Sequence, residues 1–263
     1  MSELLVKPNP APAIRRPEEL DSAQKQRQVH RIFSTIAEGY DQMNDVESFR
    51  LHRAWKRALL DRVAAVRPRR VLDVACGTGD IALALSQRLP ECEVVALDFC
   101  EPMLAVARRR AREQPDKRDG GFCSHLPQFV QGDAMHLPFP DGNFDAVTIS
   151  FGLRNMPDYA QVVAEMTRVI KPGGLFCCLE ASYPTNPAIV PFFRLYFKHI
   201  MPRLGAAVAG HRDEYQWLND STEAFLTKPA LVELMRECGL AGVRYRSFLF
   251  GSAALHVGKK PGA

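Results

Sequence analysis

Two glycines one residue apart, set among carboxylates, are the residues of this chain best placed to do chemistry. In VLDVACGTGD (71–80) a β-branched run passes into Cys76-Gly77-Thr78-Gly79-Asp80. Glycine lets a backbone turn tightly and approach a ligand with no Cβ in the way. Asp73 and Asp80 flank the turn, and Asp98 closes the next apolar run, EVVALD. Asp98 stands about 20 residues beyond the glycines, where a strand-end acid accepts hydrogen bonds from both ribose hydroxyls. Turn and acid together point to an adenosine-containing cofactor.

The residues after the turn narrow the choice. A dinucleotide fingerprint reads GxGxxG, so that a pyrophosphate rests on a helix N-terminus, whereas Gly79 is followed here by Asp80-Ile81-Ala82. An anionic Asp80 at that helix start repels a pyrophosphate. It suits a cofactor with positive charge and no phosphate. S-adenosylmethionine has both properties.

The elements that must hold these residues alternate. From Arg70 onward come VLDVA, a helix over 81–89, EVVALD and a helix over 103–112. Further strands are expected at 128–131, 144–150 and 175–180, with a helix over 159–170 stopped at Lys171-Pro172-Gly173-Gly174. Two closing strands, 242–250 and 252–258, follow a helix over 228–238 and are close enough to form an antiparallel hairpin. The expected fold is α/β: a doubly wound, mostly parallel seven-stranded sheet with N-terminal helices and a helical insertion. In such sheets ligands bind outside the carboxyl ends of the strands, where every residue named above would sit.

The chain has 263 residues, 46% of them hydrophobic and 24% charged, which is enough for one domain with a sizeable core and excludes bulk disorder. A tail over 1–20, with Pro8, Pro10, Pro12 and Pro17, is expected to be disordered and to precede a single domain over 21–263. Within it, helices are expected at 21–40, ending on Gly39, and at 46–66, the second with Leu51, Trp55, Leu59 and Val66 on one face. QPDKRDGGFCSHLP (114–127) reads as a surface loop. The insertion, 183–226, carries an apolar helix over 187–204, wider in its greasy face than packing on one core requires. Its excess surface would meet a greasy substrate, a bilayer or a partner subunit as in a homodimer, or lie buried between layers.

A net charge of +4 is too small to argue for nucleic acid, although residues 1–70 hold 14 Lys/Arg against 9 Asp/Glu, a basic surface suited to anionic lipid or simply to water. The seven cysteines have no metal-ligand spacing, so no metal is expected and a reduced, cytoplasmic setting is. No run of 18 apolar residues occurs. Contact with a membrane would therefore be peripheral, at the inner face of the cell membrane.

VLDVACGTGD, VVALD, QGDAMHLPFPDGNFDAVTISFGLRN and RVIKPGG resemble the successive motifs of class I methyltransferases. YDQMNDVESF with HRAWK, then SFGLRNMPD, LEAS, EYQWLNDS and ALHVGKK resemble the quinone C-methyltransferases of menaquinone and ubiquinone biosynthesis, over roughly 27–260. The resemblance implies methylation of a polyprenylated quinol ring by S-adenosylmethionine. Demethylmenaquinol is the expected acceptor, with the benzoquinol precursor of ubiquinone, or another small aromatic or lipid, as the alternative. Cofactor contacts carried over by motif are Asp73, Gly77, Thr78, Gly79, Asp98, Asp133, Ala134 and Ser150, with Asp98 on the ribose and Asp133 on the adenine amine. Arg154 and Asn155 follow the fourth strand, where they could stabilise a developing oxyanion, unless Arg154 merely pairs with an acid such as Asp158. Tyr40 and Asn44, in an N-terminal lid, and His256 on the last strand complete the substrate-side candidates. Alanine at 181, where the family often has phenylalanine, leaves less bulk beside the substrate.

Overall fold

The computed structural model describes residues 14–113, 126–184, 190–195 and 212–262. Seven strands form one sheet: β1 (Arg70–Val74), β2 (Glu93–Asp98), β3 (Gln128–Gln131), β4 (Phe144–Ser150), β5 (Ile170–Ala181), β6 (Ala241–Phe248) and β7 (Ala253–Lys259). Their order is β3-β2-β1-β4-β5-β7-β6, with β7 antiparallel to both neighbours and the remaining pairs parallel. The order reverses between β1 and β4. Val74 pairs with Leu97 on one side and Ile149 on the other, so three strand ends come level at this switch point, where ligands bind in open α/β sheets.

Both faces of the sheet are covered, so its central strands are apolar on both sides. Leu72, Val74, Val147 and Ile149 join one core with Val162, Met166 and Leu231. These last come from α6 (Tyr159–Val169) and α9 (Lys228–Glu237). Val71, Ala146 and Leu179 face the other core, with Leu59 and Val63 of α3 (Leu51–Ala65) and Leu85 of α4 (Asp80–Arg88). A third cluster lies over the switch point: Val29, Ile32 and Ile36 of α1 (Ser22–Ile36) pack on Met103 and Val106 of α5 (Glu101–Glu113) and on Trp217 of α8 (Arg212–Glu223).

The N-terminal region departs from the sequence reading. α1 starts on a capping box, Asp21 accepting from the Gln24 backbone N–H at 2.8 Å, and ends at Ile36. A separate helix, α2 (Tyr40–Glu47), follows before α3. Phe49 and Arg50, with φ of 49° and 63°, break the chain between α2 and α3, a backbone state that pattern alone does not reveal. The buried face of α3 is His52, Leu59 and Val63, while Leu51 and Val66 are exposed. Residues 14–20 are ordered: Pro17–Glu19 form a 3₁₀ turn, and Ile14 and Leu20 pack on the third cluster.

α6 ends at Val169, where the sequence places its stop, and Lys171, Pro172, Gly173 and Gly174 already lie inside β5. The expected antiparallel hairpin is β6–β7, joined by a 3₁₀ turn over Leu249–Gly251. Of the apolar helix expected over 187–204, only α7 (Val190–Leu195) lies among the described residues, as do two residues of the loop at 114–127. Among the described residues, no helix is long and apolar enough to cross a membrane.

Candidate active site

The turn and the acid are one unit. Asp98 Oδ2 accepts from the Gly77 N–H at 2.8 Å, and Oδ1 accepts from the Cys100 N–H at 2.9 Å. Burial pushes this carboxyl up, and those backbone donors oppose the push. Gly77 (φ 55°) offers open space where a Cβ would stand, so its backbone borders the cleft directly. Gly79 (φ 81°) serves packing instead: a Cβ there would come within 3.1 Å of Ala107 and 3.3 Å of Phe129. One glycine makes room for a ligand, the other for the sheet and α5.

A cleft of about 710 Å³ opens at the switch point. Its floor is polar, with Gly77, Asp98, Asp133, Ala134 and Ser150 at the ends of β1 to β4. Asp133 also accepts from the Met135 N–H at 2.9 Å, which fixes one carboxylate oxygen in a local turn. Ser150 Oγ is buried with no hydrogen-bond partner among the described residues, leaving a donor and an acceptor at the cleft. The opposite wall is apolar and aromatic: Val29, Phe33 and Tyr40 from α1 and α2, Phe151 and Met156 from the segment after β4. Paired strand-end acids, an open glycine and a hydroxyl beside an aromatic wall fit an adenosine-bearing, phosphate-free group.

Asn155 also lines the cleft. It is 4% exposed, and its Oδ1 accepts from the Trp217 indole at 3.0 Å. Two further bonds hold the same segment: Lys25 of α1 donates to the Met156 carbonyl at 2.6 Å, and Glu180 at the end of β5 accepts from the Arg154 N–H at 3.2 Å. Burial lowers the Lys25 pKa to about 8. Three distant parts of the chain thus fix the turn that carries Asn155.

Other sequence candidates lie elsewhere. Arg154 does not line the cleft: its guanidinium pairs with buried Glu180, not with Asp158, and donates to the Phe151 carbonyl at 2.8 Å. Asp158 instead caps α6. Asp80 also turns away from the cleft, contrary to the role the sequence suggests for it. Lys56 (2.7 Å) and Arg110 (2.9 Å) bind its carboxylate, and although burial pushes its pKa up, these two cations outweigh burial and hold it well below the usual range. Preference for a cationic cofactor therefore cannot come from a free Asp80 charge.

Thr78 is buried and donates to Asp41 Oδ1 of α2 at 2.8 Å, and Arg110 meets Asp41 at 2.7 Å. The turn is thereby tied to the N-terminal helices. Asp73 lies in the core below, accepting from the Thr148 hydroxyl at 2.7 Å, with its carboxyl pushed up to about 7 by burial. Asn44 is outside the cleft lining, its carbonyl accepting from the Ser48 hydroxyl. His256 sits mid-strand opposite Cys178, 2% exposed, with Nε2 against the Lys228 carbonyl at 3.1 Å. Among the described residues nothing links it to the cleft lining.

Sequence reasoning missed Val29, Phe33, Asp41, Phe151, Glu180 and Trp217. Glu180 and Trp217 stand inside LEAS and EYQWLNDS, and those segments were the available signal. The α1 residues had none, since their apolar spacing is that of any packed helix. Among the described residues no group of three His, Cys, Asp or Glu could hold a metal ion.

Comparison with known proteins agrees with this arrangement. The ubiE/COQ5 methyltransferase family matches residues 21–260. Demethylmenaquinone methyltransferase of Staphylococcus saprophyticus is 42% identical over 241 residues, covering 91% of this chain and 99% of that protein. The Staphylococcus aureus (strain JH9) protein of the same name is also 42% identical, covering 91% and 96%. Among solved structures, a SAM-dependent methyltransferase of Thermotoga maritima superposes with a TM-score of 0.58 at 18% identity, covering 88% of this chain and 99% of that one. The [4+2]-cyclase SpnF superposes at 0.51 with 23% identity, covering 80% and 82%. A shared sheet therefore does not by itself fix the reaction, and the sequence match carries the assignment: the chain belongs to the ubiE/COQ5 methyltransferase family and is an S-adenosylmethionine-dependent methyltransferase.

Proposed function

We propose that this chain methylates a ring carbon of demethylmenaquinol, giving menaquinol. The observation that carries the reading is one cleft, lined by Asn155, that joins strand-end carboxylates suited to an adenosine cofactor with aromatic side chains suited to a flat apolar ring. The name shared by the staphylococcal relatives supplies the acceptor.

S-adenosylmethionine supplies a methyl group on a positively charged sulfur. Transfer breaks that C–S bond, forms a C–C bond to the ring, and releases the ring proton. The quinol is nucleophilic only as its hydroxyl, with a phenolic pKa of about 10, loses its own proton, so the protein must favour the phenolate, align it and exclude water. Asp98 and Asp133 would hold the cofactor, Asp98 as acceptor for the ribose hydroxyls and Asp133 for the adenine amine. An indole can only donate, so Trp217 fixes which end of Asn155 is oxygen; the NH₂ group, 3.5 Å from the Phe151 carbonyl on the cleft lining, would be the donor that stabilises the phenolate. Arg154 acts through position, its pair with Glu180 holding the turn. Phe33, Tyr40 and Phe151 shield the ring from water.

Such an acceptor dissolves in a bilayer, and we infer peripheral, salt-sensitive contact with an anionic membrane surface through exposed cations of α3 such as Arg57. Flotation with anionic vesicles at low and high salt tests this; no binding at low salt refutes it. The reaction itself is tested by transfer of labelled methyl to reduced short-chain demethylmenaquinone beside the benzoquinol precursor of ubiquinone. Label on the naphthoquinol supports the reading. Label on the benzoquinol alone, or on neither, overturns it.

A further inference from the structure

A second cavity, of about 700 Å³, lies between α3 and the β6–β7 edge of the sheet. Leu51, Ala54, Trp55 and Ala58 line one side, at the three- and four-residue spacing of a single helix face. Phe248 and Leu249 line the other. Charge is confined to Arg57, Asp61 and Arg246, whose long side chains can keep their ends in water, and the Arg246 guanidinium lies over the Phe248 ring at 5.2 Å.

Trp55 connects this groove to the cleft. Its ring stacks on Phe248 with centroids 6.1 Å apart and meets Phe151 at 6.4 Å. Phe151 itself lines the cleft, so three aromatic rings make an apolar path from the acceptor's place to the sheet edge. At the outer end stand two far more exposed aromatics, Phe49, two residues before Leu51, and Phe250, directly after Leu249; they are 67% and 74% exposed, both on left-handed backbone. Exposed apolar side chains of this kind mark a contact surface.

We propose that this groove binds the first isoprene units of the substrate's polyprenyl tail, with the Phe49 and Phe250 tips marking where the tail leaves the protein. The proposal rests on the quinol reading above, since a lipid acceptor needs an apolar exit. The cleft floor is polar, and the groove joins the cleft at its aromatic wall. Hydrocarbon is the chemistry that fits, because Leu51, Ala54, Trp55, Ala58, Phe248 and Leu249 make up most of the groove lining.

The test uses the two tryptophans of this chain, Trp55 and Trp217. In Trp217→Phe the only indole left is in the groove. Titration with geranylgeraniol, a prenyl chain without a ring, below its aggregation threshold should shift Trp55 emission saturably to shorter wavelength. Ala54→Glu, at an exposed position of α3, should abolish the shift. With Trp217 intact, Ala54→Glu should raise KM for a tetraprenyl acceptor about tenfold and leave the tailless naphthoquinol unchanged. No shift in Trp217→Phe, or a shift that survives Ala54→Glu, overturns the proposal. So does an equal loss with both acceptors, or a shift seen only with vesicles, which would make the groove a lipid contact. A shift without methylation of either quinol leaves the groove standing and removes the substrate reading instead.

Discussion

Trp217 Nε1 donates to Asn155 Oδ1 at 3.0 Å, both side chains buried, so a helix of the insertion sets the orientation of an amide that lines the cleft. Trp217→Phe keeps most of the apolar volume and removes this donor. An amide free to flip presents its oxygen to the phenolate half the time or more. The expected result is a fall in kcat of about tenfold, with a stability loss of about 1 kcal/mol and little change in KM for S-adenosylmethionine. Steady-state kinetics beside a denaturant melt decides it, and an unchanged kcat would remove Asn155 from the proposed chemistry.

Arg154 and Glu180 form a pair whose side chains are 7% and 2% exposed. Removing one partner strands a buried charge, so Glu180→Ala should cost on the order of 3–5 kcal/mol. Replacing both with methionine should restore most of that stability. If Arg154 only positions the turn, the double variant keeps measurable turnover at saturating acceptor. A folded double variant with no turnover at all would show instead that the guanidinium has a direct part in the reaction.

How far the sequence carried these conclusions can be seen at Asp98 and Asp80. The place of Asp98 against the glycine turn was readable because it depends on distance along the chain: a strand end, a turn and the spacing between them. Asp80 was misjudged because its partners, Lys56 and Arg110, arrive from α3 and α5, and charge read locally takes no account of counter-ions brought in by folding. Arg154 failed in the same way, through Glu180 on β5. The alternation of strands and helices gave the sheet. The break at Phe49 and Arg50 was invisible, since neither residue type favours positive φ.

Asp41 is the link between α2 and the cofactor turn, bonded to Thr78 at 2.8 Å and to Arg110 at 2.7 Å. Asp41→Ala frees the segment carrying Tyr40 and leaves Arg110 with one acid fewer. Affinity for S-adenosylmethionine should fall about tenfold, chiefly through faster release, while the melting temperature changes little because the Asp41 and Arg110 side chains are partly exposed. Asp41→Asn, which keeps an acceptor for Thr78, should lie between the two. Calorimetry with S-adenosylhomocysteine reads this directly, and equal affinity in all three proteins would mean that the link is ornamental to binding.

His256 gives a pH dependence with a definite sign. Burial lowers its pKa to about 4, against about 6.5 in an unfolded chain. Between those values the unfolded state takes up a proton that the folded state refuses, so this contribution is fully present above pH 6.5 and is lost as pH falls towards 4. A shift of that size corresponds to about 3 kcal/mol. Asp73 works the other way: its carboxyl is pushed up to about 7, which favours the folded state as pH falls through the same range. The wild-type profile is therefore a sum, and only a difference isolates the histidine. His256→Gln keeps a donor for the Lys228 carbonyl and cannot titrate. It should lose less stability than wild type between pH 7 and pH 4.5 in parallel chemical denaturations. Parallel curves would mean that His256 accepts its proton in the folded state, with Nδ1, which has no hydrogen-bond partner among the described residues, as the atom that takes it.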